Sequence, residues 1–199
     1  GEPLVAHVLA ALRDGLGDDA LLMVAVADAA QEDAIRRALG DAILARIAFV
    51  RDVVADGGPI AGLLASLEHG GRAGATDVIV VAADAPRVEP RWLARLASER
   101  PDAVALLTWR GALEPMCARY SVRLVDVVRD RLGRGWRSLM GLAKVVDAQT
   151  LEIEAHAARS LDDIDTPEDA SRLGVETALI GSAKPPPSRR RGSGDGTRE

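Results

Sequence analysis

The sequence predicts an α/β domain, a mostly parallel sheet with helices on both faces. Three observations point there. Short apolar runs that suit buried strands alternate with stretches of helical periodicity. Asp, Gly and Pro punctuate the junctions between them. The 199 residues, 48% hydrophobic and 28% charged, are enough for one such domain and marginal for two.

Pro3 to Arg13 places Leu4, Val5, Val8, Leu9 and Leu12 at helical spacing. Residues 21–27 (LLMVAVA) form a continuous apolar run between Asp19 and Asp28, the pattern of a buried parallel strand. Residues 30–39 read as a helix ending at Gly40, a usual helix stop. Ile47 to Val50 is a short strand, and residues 59–69 are helical after the Gly57-Gly58-Pro59 turn. Asp77 to Ala83 (DVIVVAA) is the clearest strand. Glu89 to Ser98 is a helix, and Val104 to Thr108 and Met116 to Tyr120 are strands. Ser121 can cap a helix reaching Leu132, Ser138 to Ala143 is a further short helix, and 145–153 hold a weak strand. Thr166 as N-cap, Pro167 at the first helical position and Asp169 open a last helix that ends near Gly174. From Gly181 the chain turns to Pro185-Pro186-Pro187, then Arg189-Arg190-Arg191, then Gly and Ser. The domain is therefore placed at residues 1–180, with a disordered Pro/Arg/Gly-rich tail at 181–199.

Composition excludes several function classes. The net charge is −5, and residues 184–199 are basic, so the body is more acidic than the whole. An acidic body argues against sequence-blind nucleic-acid binding. Aromatics at 3% argue against a base-stacking platform. The single cysteine, Cys117, excludes an internal disulfide and a cysteine-cluster metal site. Beside an apolar strand it reads as buried, not nucleophilic. His7, His69 and His156 share no metal-ligand spacing and read as surface or satisfied core histidines. No apolar run approaches the ~18 residues of a membrane-spanning helix, and no basic-then-apolar leader is visible. A cytoplasmic protein is expected.

In parallel α/β sheets, ligands bind beyond the carboxyl ends of strands, and four features lie in such places. Asp84, in Asp84-Ala85-Pro86, comes just after the clearest strand, where a carboxylate can hold a divalent metal over a phosphate; it also reads as a strand-end Asp that opens a turn. In Asp56-Gly57-Gly58-Pro59-Ile60-Ala61-Gly62, a tight turn leads into a helix whose first N–H groups can meet a nucleotide, or it is a loop with a packing glycine. In Gly135-Trp136-Arg137-Ser138-Leu139, Arg137 is either a phosphate fork or a solvated loop residue. In Asp162-Asp163-Ile164-Asp165-Thr166-Pro167, alternation points Asp163 and Asp165 the same way, a crowding that a cation would offset. Helix capping explains Thr166 and Asp169 but not that pair.

In this order the segments resemble the molybdenum cofactor guanylyltransferases, the MobA-like nucleotidyltransferase family. Gly1-Glu2-Pro3-Leu4-Val5-Ala6-His7-Val8 is similar to the family's G-x-P-L-(I/L)-x-H-V, and Gly58-Pro59-Ile60-Ala61-Gly62-Leu63 to its G-P-L-A-G-(L/I). Val80 to Pro86 resembles its strand with C-D-(M/T/L)-P, and Glu114 to Tyr120 its x-(Q/H)-P-L-x-A-x-Y. Arg137-Ser138-Leu139 matches R-(S/R)-(L/V), and Asp163 to Asp169 resembles N-(I/V)-N-T-P-E-(D/E), with Asp in place of both Asn. The family's Gly-rich loop, L-A-G-G-x-S-x-R-M-G-x-D-K, belongs directly before the Gly1 segment and is not among these residues. The start at Gly1 rather than Met points to a chain trimmed of that loop and its lysine.

The resemblance implies a three-layer, Rossmann-like nucleotidyltransferase fold of the GT-A type. It implies transfer of a nucleoside monophosphate, GMP from GTP, to molybdopterin with release of pyrophosphate. It implies Mg²⁺ held by Asp84 with Asp165 as helper, nucleotide contacts from Asp56, Gly58, Pro59, Ala61 and Gly62, and an acceptor towards Arg137, Ser138 and Asp163. Molybdoenzyme-maturation proteins are the implied protein partners. Two alternatives remain open. One is a related enzyme using CTP or ATP, or another acceptor such as cobinamide phosphate, a sugar phosphate or phospholactate. The other is a non-catalytic nucleotide-binding relative without the phosphate loop.

Overall fold

The computed structural model describes residues 2–99, 104–109, 111–146 and 148–154. The predicted last helix, the Asp163 and Asp165 segment, His156 and the tail lie outside the described residues. The order is α1 (Leu4–Leu16), β1 (Leu22–Val26), α2 (Ala29–Ala38), α3 (Asp41–Leu44), β2 (Ile47–Arg51), α4 (Pro59–Arg72), β3 (Asp77–Val81), α5 (Pro90–Ser98), β4 (Val104–Trp109), β5 (Ala112–Ser121), a 3₁₀ turn (Val122–Leu124), α6 (Val125–Gly133), α7 (Leu139–Ala143) and β6 (Ala148–Glu152).

The alternation read from the sequence is present, with differences in detail. Gly40 does not end α2. The helix ends at Ala38 with Leu39 as its C-cap, and Gly40, at φ −75°, is the N-cap of the extra helix α3. Ser121 does act as a cap, accepting from the Arg123 N–H, but it caps the 3₁₀ turn and not α6 directly. Ser138 caps α7 by accepting from the Gly141 N–H.

The strands form two sheets. β1 and β2 pair in parallel, and the second sheet runs β3-β5-β4-β6. β4 and β6 are parallel, whereas β5 is antiparallel to both β3 and β4. Three of the four strands in the larger sheet thus share a direction, yet two of its three pairings are antiparallel. The cause is local. Only two residues link β4 to β5, and so short a connection makes a hairpin, because a parallel return needs a long crossover.

Alternation along β4 builds the layers. Val104 and Leu106 face a core made by α4, α6 and α7, with Ile60, Leu64, Leu67, Val128 and Leu142. Ala105 and Leu107 face the other core, with α1 and α5, through Ala11, Trp92, Leu93 and Leu96. Period-two side chains sort these neighbours to opposite faces, which is why helices cover both. The smaller sheet is served by the same scaffold: Ala6 and Leu9 of α1 pack on Val24 and Val26, and α4 touches β1, β2 and β3.

Between the sheets, β1 and β3 each have one edge with no strand partner among the described residues. The edges border a cavity of about 530 Å³, lined among others by Leu16, Leu22, Met23, Val78 and Val80. Its mostly apolar wall holds Asp77 and Arg119, which pair with each other at 2.8 Å. This explains why the run 21–27 is less buried than a doubly covered strand: Leu21 is 46% exposed, and Ala25 is exposed too. No described helix is long and apolar enough to cross a membrane.

Candidate functional site

The first turn of α4 is the place where the predicted residues gather. Asp56 (φ 55°) is the described non-glycine residue with positive φ, and Gly58 (φ 65°) comes two positions later. A Cβ on Gly58 would stand 2.9 Å from the Arg137 carbonyl oxygen, so the turn and the 132–138 loop are in backbone contact. Pro59 opens the helix at its first position, as the sequence predicts, and Gly58 has no side chain to cap the first-turn N–H groups. Those groups carry the positive end of a fourteen-residue helix. Pro59 and Gly58 are exposed, whereas Ala61 is wholly buried and its N–H goes back to the Gly58 carbonyl at 3.0 Å. Ala61 therefore shapes the turn from inside. A Cβ on Gly62 would lie 3.3 Å from the Ala25 Cβ and 3.4 Å from Asp52 Oδ1, so the glycine lets α4 close on β1 and on that carboxylate.

Asp52 is the residue that sequence reasoning missed. It sits directly after β2, as Asp84 sits after β3, and its N–H is fixed to the Val26 carbonyl of β1 at 2.9 Å. Burial holds its pKa above the usual carboxylate range, and no described side chain gives the carboxylate a hydrogen bond or an ion pair. A partly desolvated acid without a counter-charge, beside an open helix start, suits a donor or cation arriving with a ligand. The signal was available: an aspartate closing the apolar run Ile47 to Val50 has the pattern that marks Asp84.

Asp84 is half-buried on the turn after β3. The Ala82 N–H to Met116 carbonyl bond at 2.9 Å ties this turn to β5, and Ala85 and Val88 bury their side chains beneath it. Among the described residues no group of three His, Cys, Asp or Glu side chains could by itself enclose a metal. Asp165 lies outside the described residues.

On the acceptor side, Arg137 is exposed, but its guanidinium donates to three backbone carbonyls: from Nε to Asp56 at 3.1 Å, and from Nη1 to Leu132 at 3.2 Å and Trp136 at 3.0 Å. The Ser138 hydroxyl is engaged as the α7 cap, accepting from the Gly141 N–H at 3.3 Å. Trp136 is 38% exposed and stacks under the Arg131 guanidinium, 4.4 Å from ring centre to Cζ. Asp163 lies outside the described residues. Elsewhere, burial pushes the Cys117 thiol up to about 12, so it is inert as the sequence suggested. His7 departs from a satisfied core histidine, because its Nε2 is buried without a hydrogen bond.

With this geometry in place, comparison with known proteins is informative. Residues 1–150 match the model of the MobA-like NTP transferase domain. A protein of Opitutus terrae called "Probable molybdenum cofactor guanylyltransferase" is 31% identical over 106 residues, 53% of this chain and 52% of that one. The chain thus matches about half the length of this curated relative. Molybdopterin-guanine dinucleotide biosynthesis protein A from Archaeoglobus fulgidus has a similar structure, at TM-score 0.65 and 20% identity over 85% of this chain and 82% of that one. A Mycobacterium tuberculosis protein solved in complex with manganese aligns at TM-score 0.59 and 18% identity over 85% and 84%. These structures share the Rossmann-like fold, and the match over residues 1–150 places the chain in the MobA-like NTP transferase family.

Proposed function

We propose that the chain transfers GMP from GTP to molybdopterin, with release of pyrophosphate. The observation that carries this reading is the unpartnered Asp52 carboxylate beside the uncapped start of α4. The Opitutus terrae relative supports the choice of nucleotide and acceptor.

In this reading the Ile60 N–H at the start of α4 and the 56–58 turn orient the nucleotide, and Asp52 accepts hydrogen bonds from its ribose or base. Asp56, Gly58, Pro59 and Gly62 form the wall, and Ala61 supports it from within. The acceptor lies towards the Arg137 and Ser138 loop and the Asp163 segment. Its phosphate oxygen attacks the α-phosphorus in line; the new O–P bond forms as the bond to the bridging oxygen breaks, and pyrophosphate leaves. Mg²⁺, when bound, would neutralise charge on the triphosphate, with Asp84, helped by Asp165, as its protein ligands. The rest of catalysis is positioning and electrostatic stabilisation. A cytoplasmic setting and transfer of product to molybdoenzyme-maturation proteins accompany this role.

Isothermal titration with GTP, CTP and ATP, each with and without Mg²⁺, tests the reading. Mg²⁺-dependent binding of GTP alone is expected. A preference for CTP or ATP would move the chain to another nucleotidyltransferase activity. Binding of no nucleotide would overturn the proposal.

A further inference from the structure

We propose that Arg137 is a positioning residue: it clamps the strained 56–58 turn to the 132–137 loop and so sets the start of α4 for the nucleotide, without itself gripping the acceptor phosphate. This rests on the function proposed above and deepens it.

The donor count argues against a phosphate fork. Nε has one proton, and it goes to the Asp56 carbonyl. Nη1 has two, and they go to the Leu132 and Trp136 carbonyls. A guanidinium grips phosphate through a pair of parallel donors, either Nε with Nη2 or Nη1 with Nη2. Each pair has lost one member to the backbone. What remains are the two protons of Nη2, one from each pair, which point in different directions and do not make the parallel fork by which arginine reads phosphate.

The turn needs a hold from outside. Asp56 is in the left-handed region, which costs a non-glycine residue energy unless its surroundings fix it. Its carbonyl is one of the three that Arg137 holds. Within the turn, Gly57 donates to the Val54 carbonyl at 3.1 Å and Ala61 to Gly58 at 3.0 Å. The loop on the other side is firmly based: a Cβ on Gly141 of α7 would lie 3.2 Å from the Trp136 ring, and Arg131 stacks on that ring. The contacts run from α7 through Trp136 and Arg137 to Asp56 and then α4.

The test compares Arg137→Lys and Arg137→Ala with the parent protein. In the free protein, amide hydrogen exchange at Gly57 and Ala61 should quicken about tenfold or more in both variants, as expected for loss of charge-assisted hydrogen bonds. Amides of β4 and β5 should keep their protection and so report an intact fold. With Mg²⁺-GTP, Kd should rise about tenfold while KM for the acceptor stays within about twofold. Lysine should not rescue, because an ammonium cannot span the three carbonyls. Unchanged exchange at Gly57 and Ala61 would overturn the proposal, and so would a raised acceptor KM that lysine restores. The exchange arm needs no ligand. If the parent binds no nucleotide, the proposed function fails while faster exchange still supports the clamp.

Discussion

Asp52 and Asp84 differ in what surrounds them, and this separates their expected behaviour. Burial raises the pKa of Asp52 in the folded protein. The folded state then holds its proton longer than the unfolded chain does, so stability falls as pH rises through the carboxylate range. Thermal unfolding across pH should show Asp52→Asn melting at or above the parent at pH 7, with the difference closing near pH 3. The same variant should bind Mg²⁺-GTP about tenfold more weakly in titration, the loss of one or two hydrogen bonds to a charged acceptor. In the proposed function, Asp84→Asn should lower turnover by about 100-fold or more, with little change in melting temperature, because the half-buried turn would lose the carboxylate assigned to Mg²⁺. Undiminished turnover would remove Asp84 from the metal-binding role. Asp84 was legible because it follows Asp77 to Ala83, the clearest strand in the sequence. Asp52 was not, because Ile47 to Val50 is a short run and the glycines after it drew the reading to residue 56.

At the scale of elements, Arg119 of β5 shows how strand and helix are joined. Its guanidinium donates to the Leu96, Ala97 and Glu99 carbonyls at the end of α5, and it pairs with Asp77 of β3. Burial alone would raise the Asp77 pKa, but hydrogen bonds from Arg119 and Thr76 outweigh it and hold the carboxyl below its usual range. A depressed pKa stabilises the fold above the ordinary carboxylate range, and that stability is lost as pH falls through it. Arg119→Ala should cost about 2–4 kcal/mol in denaturant unfolding, since it leaves α5 uncapped and Asp77 without its cation. The order of helices and strands was legible because apolar runs and helical stripes are local signals. Helix α3 has four residues and leaves no periodic trace. The antiparallel place of β5 was not legible, because strands at Val104 to Thr108 and Met116 to Tyr120 leave seven residues between them, and the two-residue hairpin link appears only with β5 beginning at Ala112.

The whole molecule is two sheets held by shared helices. α1 packs on β1 and on α5, and α4 touches β1, β2 and β3. Among the described residues, coupling between the sheets thus passes through helix packing and not through a continuous ladder of backbone hydrogen bonds. Asp52 lies against Gly62 of α4, and the 56–58 turn leads into the same helix, so the geometry of the candidate site depends on how α4 crosses between the sheets.

The unpaired edges of β1 and β3 also matter between molecules. A strand edge offers its N–H and C=O groups to any extended chain, and charge or covering is the usual protection against this. Here the edges border a mostly apolar cavity, and the ion pair within it is already neutralised. A concentrated sample of these 199 residues should therefore stick to itself by strand addition, seen as light scattering that grows with concentration and with binding of a β-sensitive dye. Leu21→Lys, at the exposed entrance beside β1, should reduce both. The gap across which α4 aligns the candidate site is thus also, among the described residues, a place open to strand addition.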